Sequence, residues 1–194
     1  MSREKQFSEA AVLEDVADVF ASHGYQGTSL AMLLDATGLG KQSLYNSFGD
    51  KRALYLKSVE CSVARYKAVE ARMQAAASGR AALAMYFDHV IGKCDSADPA
   101  DKSCIVAAGL LEGLDDPLIV QTLRAKWAGS HEMLRAAVER GQKDGSIRNR
   151  APSAALADLL LAVTAGLRVN ARAEFGTARL RRTVDLALAV LDGG

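Results

Sequence analysis

Apolar residues recur with a helical period along most of the chain, whereas the alternation typical of β-strands is scarce. In the N-terminal third, the pattern predicts a helix from Ser8 to a stop at Gly24, two short helices, and a long helix that begins after Asp50. Further helices are predicted at Arg80–Lys93, Ser103–Leu114, Pro117–Arg140, Pro152–Glu174 and Thr177–Asp192. We therefore expect an all-α fold with a compact N-terminal unit and a larger helical body.

The composition is that of an ordinary globular protein, with 49% hydrophobic and 24% charged residues among 194. No apolar run approaches the roughly 20 residues of a membrane span, and no signal-peptide pattern opens the chain. We therefore expect a cytoplasmic protein with no membrane partner. Cys61, Cys94 and Cys104 lack the spacing of a metal site, so neither a metal nor a cofactor is expected.

The segment between His23 and Asp50 carries the most specific chemistry. Two short helices joined by a glycine-containing turn are what a helix-turn-helix requires, and its second helix lies in the DNA major groove. The first short helix is capped by Thr28 or Ser29, and the second covers Lys41 to Ser47. Lysine and glutamine on the second helix suit the hydrogen-bonding edges of guanine and adenine.

The motifs in this segment resemble the DNA-binding domain of the TetR (tetracycline-repressor) family of transcriptional regulators. The resemblance covers about residues 8 to 60, and the motifs agree in order. They are Gly24-Tyr25-Gln26-Gly27-Thr28-Ser29, Leu33-Leu34, Ala36-Thr37-Gly38, Leu44-Tyr45-Asn46-Ser47-Phe48 and Asp50-Lys51. The resemblance implies a three-helix DNA-binding domain at residues 6–66, with the helix-turn-helix at about 29–48. It implies a helical effector-binding and dimerisation domain at residues 67–194.

The same resemblance implies roles for seven side chains. Thr28 and Lys51 would bind phosphate. The base-reading face would hold Lys41, Gln42 and Ser43, while Tyr45 and Asn46 would touch phosphate or a base. Gly40 departs from the serine often found before the recognition helix, so a side-chain cap and a phosphate contact are lost there.

Charge is unevenly distributed in this part of the chain. The whole protein has a net charge of +1, and residues 1–60 contain six cations against eight anions. The stretch from Leu39 to Lys57 nevertheless has four cations and one anion, a local charge of +3, which is where phosphates would pass. Two interpretations of Arg3 and Lys5 stay open, a DNA-contacting arm or a tail without contacts.

Two apolar stripes near the C-terminus predict a homodimer interface. The resemblance supports this prediction, because family members pair these two helices with those of a second copy, and a twofold dimer suits a palindromic operator. The alternative is that the stripes form the core of the single chain. The candidate interface residues are Leu156, Leu160, Val163, Leu167, Val184, Leu188 and Leu191.

The middle helices are expected to hold a pocket for a small apolar or aromatic effector whose binding releases the DNA. Each candidate residue has an alternative role as a core or surface residue. The pocket candidates are Tyr66, Tyr86, Phe87, His89, Cys104, Trp127, His131 and Met133.

Three other functions are weighed against a ligand-responsive repressor. Cys104, beside Lys102 at a predicted helix start, would suit an electrophile or oxidant sensor, and a disulfide with Cys94 is conceivable. A regulator with the same fold would equally serve as an activator or act without any ligand. A helical-bundle enzyme is the third, but the chain contains no HExxH, GxSxG or phosphate-loop motif.

Overall fold

The computed structural model describes residues 8–193, and the described part consists of α-helices and one short 3-10 helix, without a β-strand. The first helices are α1 (Glu9–Gly27), α2 (Leu30–Thr37), α3 (Lys41–Phe48), α4 (Lys51–Arg65) and α5 (Lys67–Ala75). They are followed by α6 (Gly79–Cys94), α7 (Ile105–Leu111), α8 (Pro117–Asp144), α9 (Ser153–Arg172), α10 (Thr177–Ala189) and the 3-10 helix Val190–Asp192. The predicted all-α fold is confirmed. Arg3 and Lys5 lie outside the described residues.

Side-chain caps explain where the N-terminal helices begin. The Ser8 hydroxyl accepts a hydrogen bond from the Ala11 amide at 3.4 Å. The Asp50 carboxylate caps α4 in the same way, through the Ala53 amide at 2.8 Å. Ser29, rather than Thr28, caps α2. These caps satisfy amide groups that have no partner inside their own helix.

Two helix ends differ from the sequence prediction. α1 continues beyond Gly24, which forms a kink with φ +74° instead of ending the helix. The single long helix expected after Asp50 is divided at Tyr66 into α4 and α5. The backbone at Tyr66 stays near the helical region, with φ −78° and ψ −13°, so no proline or glycine in the sequence marks this break.

The chain forms two compact units. The N-terminal unit comprises Met1–Arg65 and Cys104–Arg124, and the C-terminal unit comprises Tyr66–Ser103 and Ala125–Gly194. The predicted domain boundary after residue 66 lies next to the first division point. By its contacts, the segment with α7 and the start of α8 joins the N-terminal unit.

The core of the N-terminal unit fixes α2 and α3 against α1 and α4. Leu33 and Leu44 are fully buried in it, as is Phe20. The Phe20 ring meets the Tyr55 ring edge to face with their centroids 4.9 Å apart, and the Tyr25 ring lies 4.9 Å from Tyr55. Aromatic contacts of this kind add to the stabilisation that burial of apolar area provides. Helix α3 therefore contributes buried side chains to the core of the N-terminal unit.

The residues predicted for the dimer interface lie mostly in the core of the C-terminal unit, which favours the alternative that the stripes form the core of the single chain. Six of the seven side chains assigned to that interface are buried inside the single chain, and Val163 packs partly against the same core. Side chains with so little exposed surface in the protomer have little area left for contact with a partner. The six buried residues are Leu156, Leu160, Leu167, Val184, Leu188 and Leu191.

One described helix, α9, is long and apolar enough by length and composition to cross a membrane, with a mean hydropathy of 1.4 in its best window. Charged residues interrupt this helix, so it contains no uninterrupted apolar run of that length. A core helix of a water-soluble protein passes the same test. Leu160 and Leu167 of α9 belong to the core of the C-terminal unit, and the helix also contains Asp158 and the buried Arg168.

Candidate nucleic-acid interface

Helix α3 separates an apolar inner side from a polar outer side. Leu44 and Phe48 point into the core of the N-terminal unit and are buried. Tyr45 is half-buried between the two sides. The outer side is exposed, and its side chains make no hydrogen bond or ion pair with any residue that the structure describes; these are Lys41, Gln42, Ser43 and Asn46. Their donors and acceptors are thus available to a molecule outside the chain.

The two ends of α3 are stabilised differently. At the N-terminus, Gly40 supplies no side-chain cap, as the sequence predicted. At the C-terminus, the Lys57 ammonium donates a hydrogen bond to the Phe48 carbonyl at 3.1 Å and lies 5.6 Å from the centre of the Phe48 ring. A cation at a helix C-terminus interacts favourably with the helix dipole. Lys57 therefore supports α3 in addition to raising the local positive charge.

Thr28, which was predicted to bind phosphate, is buried beside the turn between α1 and α2. Its side chain is only 1% exposed, and its hydroxyl donates to the Gly24 carbonyl at 2.6 Å. The hydroxyl proton is therefore used within the turn between α1 and α2, and the phosphate contact of Thr28 stays a prediction. The neighbouring Ser29 is exposed and caps α2.

Lys51 is partly buried beside the same turn. Its ammonium donates to the Thr28 carbonyl at 2.5 Å and lies 5.0 Å from the centre of the Tyr25 ring. An ammonium has three donor hydrogens, so these contacts leave donors for a phosphate. Lys51 is thus positioned by the protein, whereas the exposed α3 side chains are not.

The positive patch predicted between Leu39 and Lys57 is weaker in three dimensions than in the sequence. Arg52 is paired with Asp116, which comes from a distant part of the chain: Nε lies 2.5 Å from Oδ2, and Nη2 lies 3.1 Å from Oδ1. The hydrogen bond from Arg52 holds the pKa of the Asp116 carboxyl below its usual value. Counting Asp116 lowers the local charge from +3 to +2.

Comparisons with known proteins agree with this geometry. The family model "Bacterial regulatory proteins, tetR family" matches residues 12–57. A transcriptional regulator of Bacillus subtilis, YezE, is 32% identical over 199 residues, covering 99% of this chain and all of that protein. The chain belongs to the TetR family of transcriptional regulators.

Other TetR-family proteins and related regulators extend the comparison. The Escherichia coli transcriptional repressor ComR is 29% identical over 173 residues, covering 88% of this chain and 82% of that protein. A cysteine-substituted variant of the TetR-family regulator CifR has been solved with a 26 bp double-stranded operator. Its structure matches with a TM-score of 0.85 and 26% identity, covering 97% of this chain and 99% of that one. The regulator described here thus has the TetR fold.

In the C-terminal unit of this TetR-family regulator, two of the predicted effector residues meet an arginine. The Tyr66 and His89 rings contact edge to face, with centroids 5.6 Å apart. Arg168 is only 7% exposed, and its Nη2 donates to the Tyr66 hydroxyl at 2.8 Å. Arg168 also donates to the Asp101 and Ser103 carbonyls. Burial, and then the positive charges of Arg168 and Lys93, lower the pKa of His89.

Sequence reasoning missed Arg168, although a signal was present. It is the single charged residue between Asp158 and Arg172 in an otherwise apolar or small-residue helix. A charge in such a helix is rarely buried without hydrogen-bond partners. The apolar period around Arg168 therefore indicates a buried cation that needs hydrogen-bond partners.

The remaining effector candidates lie in different surroundings. Tyr86 and Phe87 are buried in the core of the C-terminal unit, and Trp127 and Met133 pack partly against that core. His131 lies at the surface, where Nε2 is 3.1 Å from Asp158 Oδ1 and 3.3 Å from the Ala154 carbonyl. A role as a hydrogen-bonded surface histidine accounts for His131.

The cysteines give no support to a thiol sensor. All three are free thiols, and Cys104 belongs to the N-terminal unit, at the residue before α7. Cys94 is buried in the C-terminal unit, and this burial raises the pKa of its thiol. A raised pKa disfavours the reactive thiolate. Among the described residues, no group of three or more His, Cys, Asp or Glu side chains is placed to hold a metal ion.

Proposed function

We propose that this TetR-family regulator is a cytoplasmic, non-enzymatic repressor that binds a palindromic operator as a homodimer. Helix α3 would enter the major groove, and an effector would release the DNA. The observation that carries the proposal is the outer side of α3, where exposed Lys41 and Gln42 have no partner within the described chain. Side chains of these two types make bidentate contacts with guanine and adenine. Buried Leu44 and Phe48 hold that side outward.

The relatives support the repressor part of the proposal. ComR is a named transcriptional repressor, and the CifR variant was solved with its operator DNA. Repression by occupying an operator requires no chemistry beyond selective binding. Ser43, Asn46 and Lys51 complete the proposed DNA contacts, and half-buried Tyr45 borders them.

An exposed apolar stripe on α9 supports the homodimer. Leu159 is 40% exposed and Val169 is 60% exposed. They fall on a heptad-spaced row with three small residues, which permit the backbones of two helices to approach closely. The row consists of Ala155, Leu159, Ala162, Gly166 and Val169. We propose this row as the interface, together with Leu186 of α10, which is 73% exposed.

The proposed effector is a small apolar or aromatic molecule bound in the C-terminal unit. Tyr66, His89 and Trp127 are partly exposed and supply aromatic surface for such a ligand. Binding there would shift the population between a DNA-competent and an incompetent state, a coupling of typically 1–3 kcal/mol. The nearby Arg168 offers a place for a polar substituent on the ligand.

The test begins with selection of bound DNA from a random duplex pool by the full-length protein. We expect a palindromic consensus, because a twofold dimer presents two recognition helices about one DNA turn apart. The variant Lys41→Ala/Gln42→Ala is then expected to lose at least about 100-fold in affinity for the selected operator, since each good bidentate pair contributes roughly 1–3 kcal/mol.

Two measurements complete the test. Light scattering is expected to give the same dimer mass for the double variant and the wild type, because neither side chain is in the core. The quenching of Trp127 fluorescence by candidate ligands, followed by operator release, identifies the effector. Unchanged protection of the operator by the double variant, or no sequence enrichment at all, would refute the proposal.

A further inference from the structure

A carboxylate from outside the helix-turn-helix holds the turn that leads into it. Glu112 follows α7, and its Oε2 accepts a hydrogen bond from the Tyr25 amide at 2.8 Å. Its Oε1 accepts another from the Gln26 amide at 3.2 Å. Glu112 lies far beyond residues 12–57, which the family model matches. Nothing in that match assigns it a role.

The kink in α1 explains why this turn needs an external acceptor. Gly24 has φ +74° and ψ 175°, which breaks the run of helical backbone before Tyr25. The amides that follow such a break resemble those at a helix N-terminus, and a carboxylate is a good acceptor for them. Glu112 therefore caps the last turn of α1 from 87 residues away.

Gly24 is required at this point for two reasons. Its positive φ is a conformation that side chains rarely adopt. In addition, a Cβ atom there would overlap the Glu112 carboxylate, only 2.7 Å from its Cδ. The absence of a side chain at Gly24 thus leaves the space that the Glu112 carboxylate occupies when it caps the turn.

The capped turn is tied directly to α4 and leads into α2. The Thr28 hydroxyl donates to the Gly24 carbonyl, and Lys51 donates to the Thr28 carbonyl. Four residues after Glu112, Asp116 pairs with Arg52 at the start of α4 and accepts from the Leu118 and Ile119 amides. The segment between α7 and α8 therefore contacts the N-terminal helices at two places. Glu112 binds the last turn of α1, and Asp116 binds the start of α4.

We infer that Glu112 is a positioning residue for operator binding: its carboxylate holds the Gly24–Thr28 turn, and thereby α2 and the recognition helix α3, in the DNA-binding arrangement. The inference rests on the proposed use of α3 for DNA contact. Apparent affinity falls with the fraction of molecules in the competent arrangement. Loss of the cap therefore weakens binding even though Glu112 touches no DNA.

The test compares Glu112→Gln with Asp115→Asn in the full-length protein. Glutamine keeps the size of the side chain but has one acceptor oxygen, so one of the two amides loses its partner. Asp115 is exposed and makes no hydrogen bond or ion pair with the described residues, so D115N removes the same charge without removing a cap. We expect E112Q to bind the selected operator roughly tenfold more weakly, and D115N to bind within about twofold of wild type.

Hydrogen exchange supplies a readout that needs no DNA. In E112Q, amides in the peptide spanning residues 24–28 are expected to exchange faster than in wild type, while those of α9 keep their rate. A general loss of stability would accelerate both. Unchanged exchange at 24–28 would overturn the inference, even if no operator were found.

A double-variant cycle separates the cap from unrelated effects. Gly24→Ala expels the same carboxylate, so G24A and E112Q are expected to weaken binding by less together than the product of their separate effects. If wild type binds the selected operator and K41A/Q42A does not, the proposed function holds. Operator affinity of E112Q equal to wild type, or full additivity in the cycle, would then overturn the role of Glu112 alone.

Discussion

Helices α3 and α9 use apolar residues in opposite ways. In α3, two apolar side chains face the core, and polar residues form nearly all the rest of the surface, so the boundary between inside and outside follows chemistry. In α9, buried Leu156 and Leu160 stand beside exposed Leu159 and Val169. Because apolar residues occur on both the buried and the exposed side of α9, polarity does not show which side faces the core.

The difference shows which functional surfaces a helical pattern can reveal. A DNA-reading surface is polar, so it stands out against a core. A helix–helix interface is apolar, and an apolar period is satisfied equally by a core row and by an interface row. The leucine stripes of α9 and α10 were predicted to form an interface, and in the structure most of their residues lie in the core of the single chain.

The largest expected effect is on the free energy of unfolding, and it distinguishes the buried row of α9, which contains Leu160, from the exposed row, which contains Leu159. Leu160→Ala removes a fully buried side chain and is expected to lower the free energy of unfolding by about 2–5 kcal/mol. Leu159→Ala, one position along, removes an exposed side chain and is expected to cost the protomer less than about 1 kcal/mol. Urea denaturation at low protein concentration measures both.

The opposite ranking in that pair would show that the exposed row, not the buried one, supports the protomer. Because a dimer makes apparent stability depend on concentration, the two variants are compared below the dissociation range of wild type. The L160A variant should keep its deficit at every concentration. The deficit of L159A, by contrast, should grow as the dimer forms.

The next effect concerns the proposed interface. Val169→Glu places a carboxylate on the exposed row and is expected to weaken dimerisation at least tenfold, about 1.4 kcal/mol, while leaving the protomer folded. Sedimentation velocity over a range of concentrations measures the change. Glu174→Gln is the matched surface control, since Glu174 is exposed just beyond α9. A V169E dimer of wild-type strength would exclude this row.

Much of the fold followed from the sequence because helix ends are local. Ser8, Asp50 and Gly38 mark ends that depend on a few neighbouring residues, and the structure has helix ends at all three. The polar outer side of α3 could likewise be predicted from the residues of that helix alone. Long-range contacts could not be predicted in this way. The pairing of Arg52 with Asp116 and the packing of α7 against the first helices join residues about 60 or more positions apart, and the burial of Thr28 depends on how a turn packs.

A smaller effect on stability is expected from one carboxylate in each unit, Asp116 and Asp144, and it should depend on pH. A hydrogen bond from Arg52 lowers the pKa of Asp116, and hydrogen bonds from Ser146 and the Gly79 amide lower that of Asp144. A carboxyl group whose pKa is lower in the folded than in the unfolded state stabilises the protein at pH values above 3.8, its ordinary pKa. This stabilisation is lost as the pH falls through the folded-state pKa. We therefore expect Asp116→Asn and Asp144→Asn to lower Tm at neutral pH.

The pH dependence distinguishes this charge effect from a packing defect. The Tm difference from wild type should stay constant above about pH 5 and shrink below 3.8. D115N, which removes an unpaired carboxylate of the same segment, should show no such trend. A difference from wild type that is unchanged at about pH 2 would mean that shape, not ionisation, explains the two variants.

The smallest effect concerns the start of α3, where helix capping and DNA reading meet. Gly40 has φ −72° and ψ 151°, values that serine adopts freely, and no atom lies within 4 Å of the position of an added Cβ. Gly40→Ser would supply the missing cap and is expected to stabilise the protein by a few tenths of a kcal/mol, about 1 °C in Tm. Gly38→Ser is the control. Its φ of +65° strains any side chain, so it should destabilise by roughly 1 kcal/mol. Scanning calorimetry resolves the opposite signs, and equal signs would show that backbone conformation does not govern this turn.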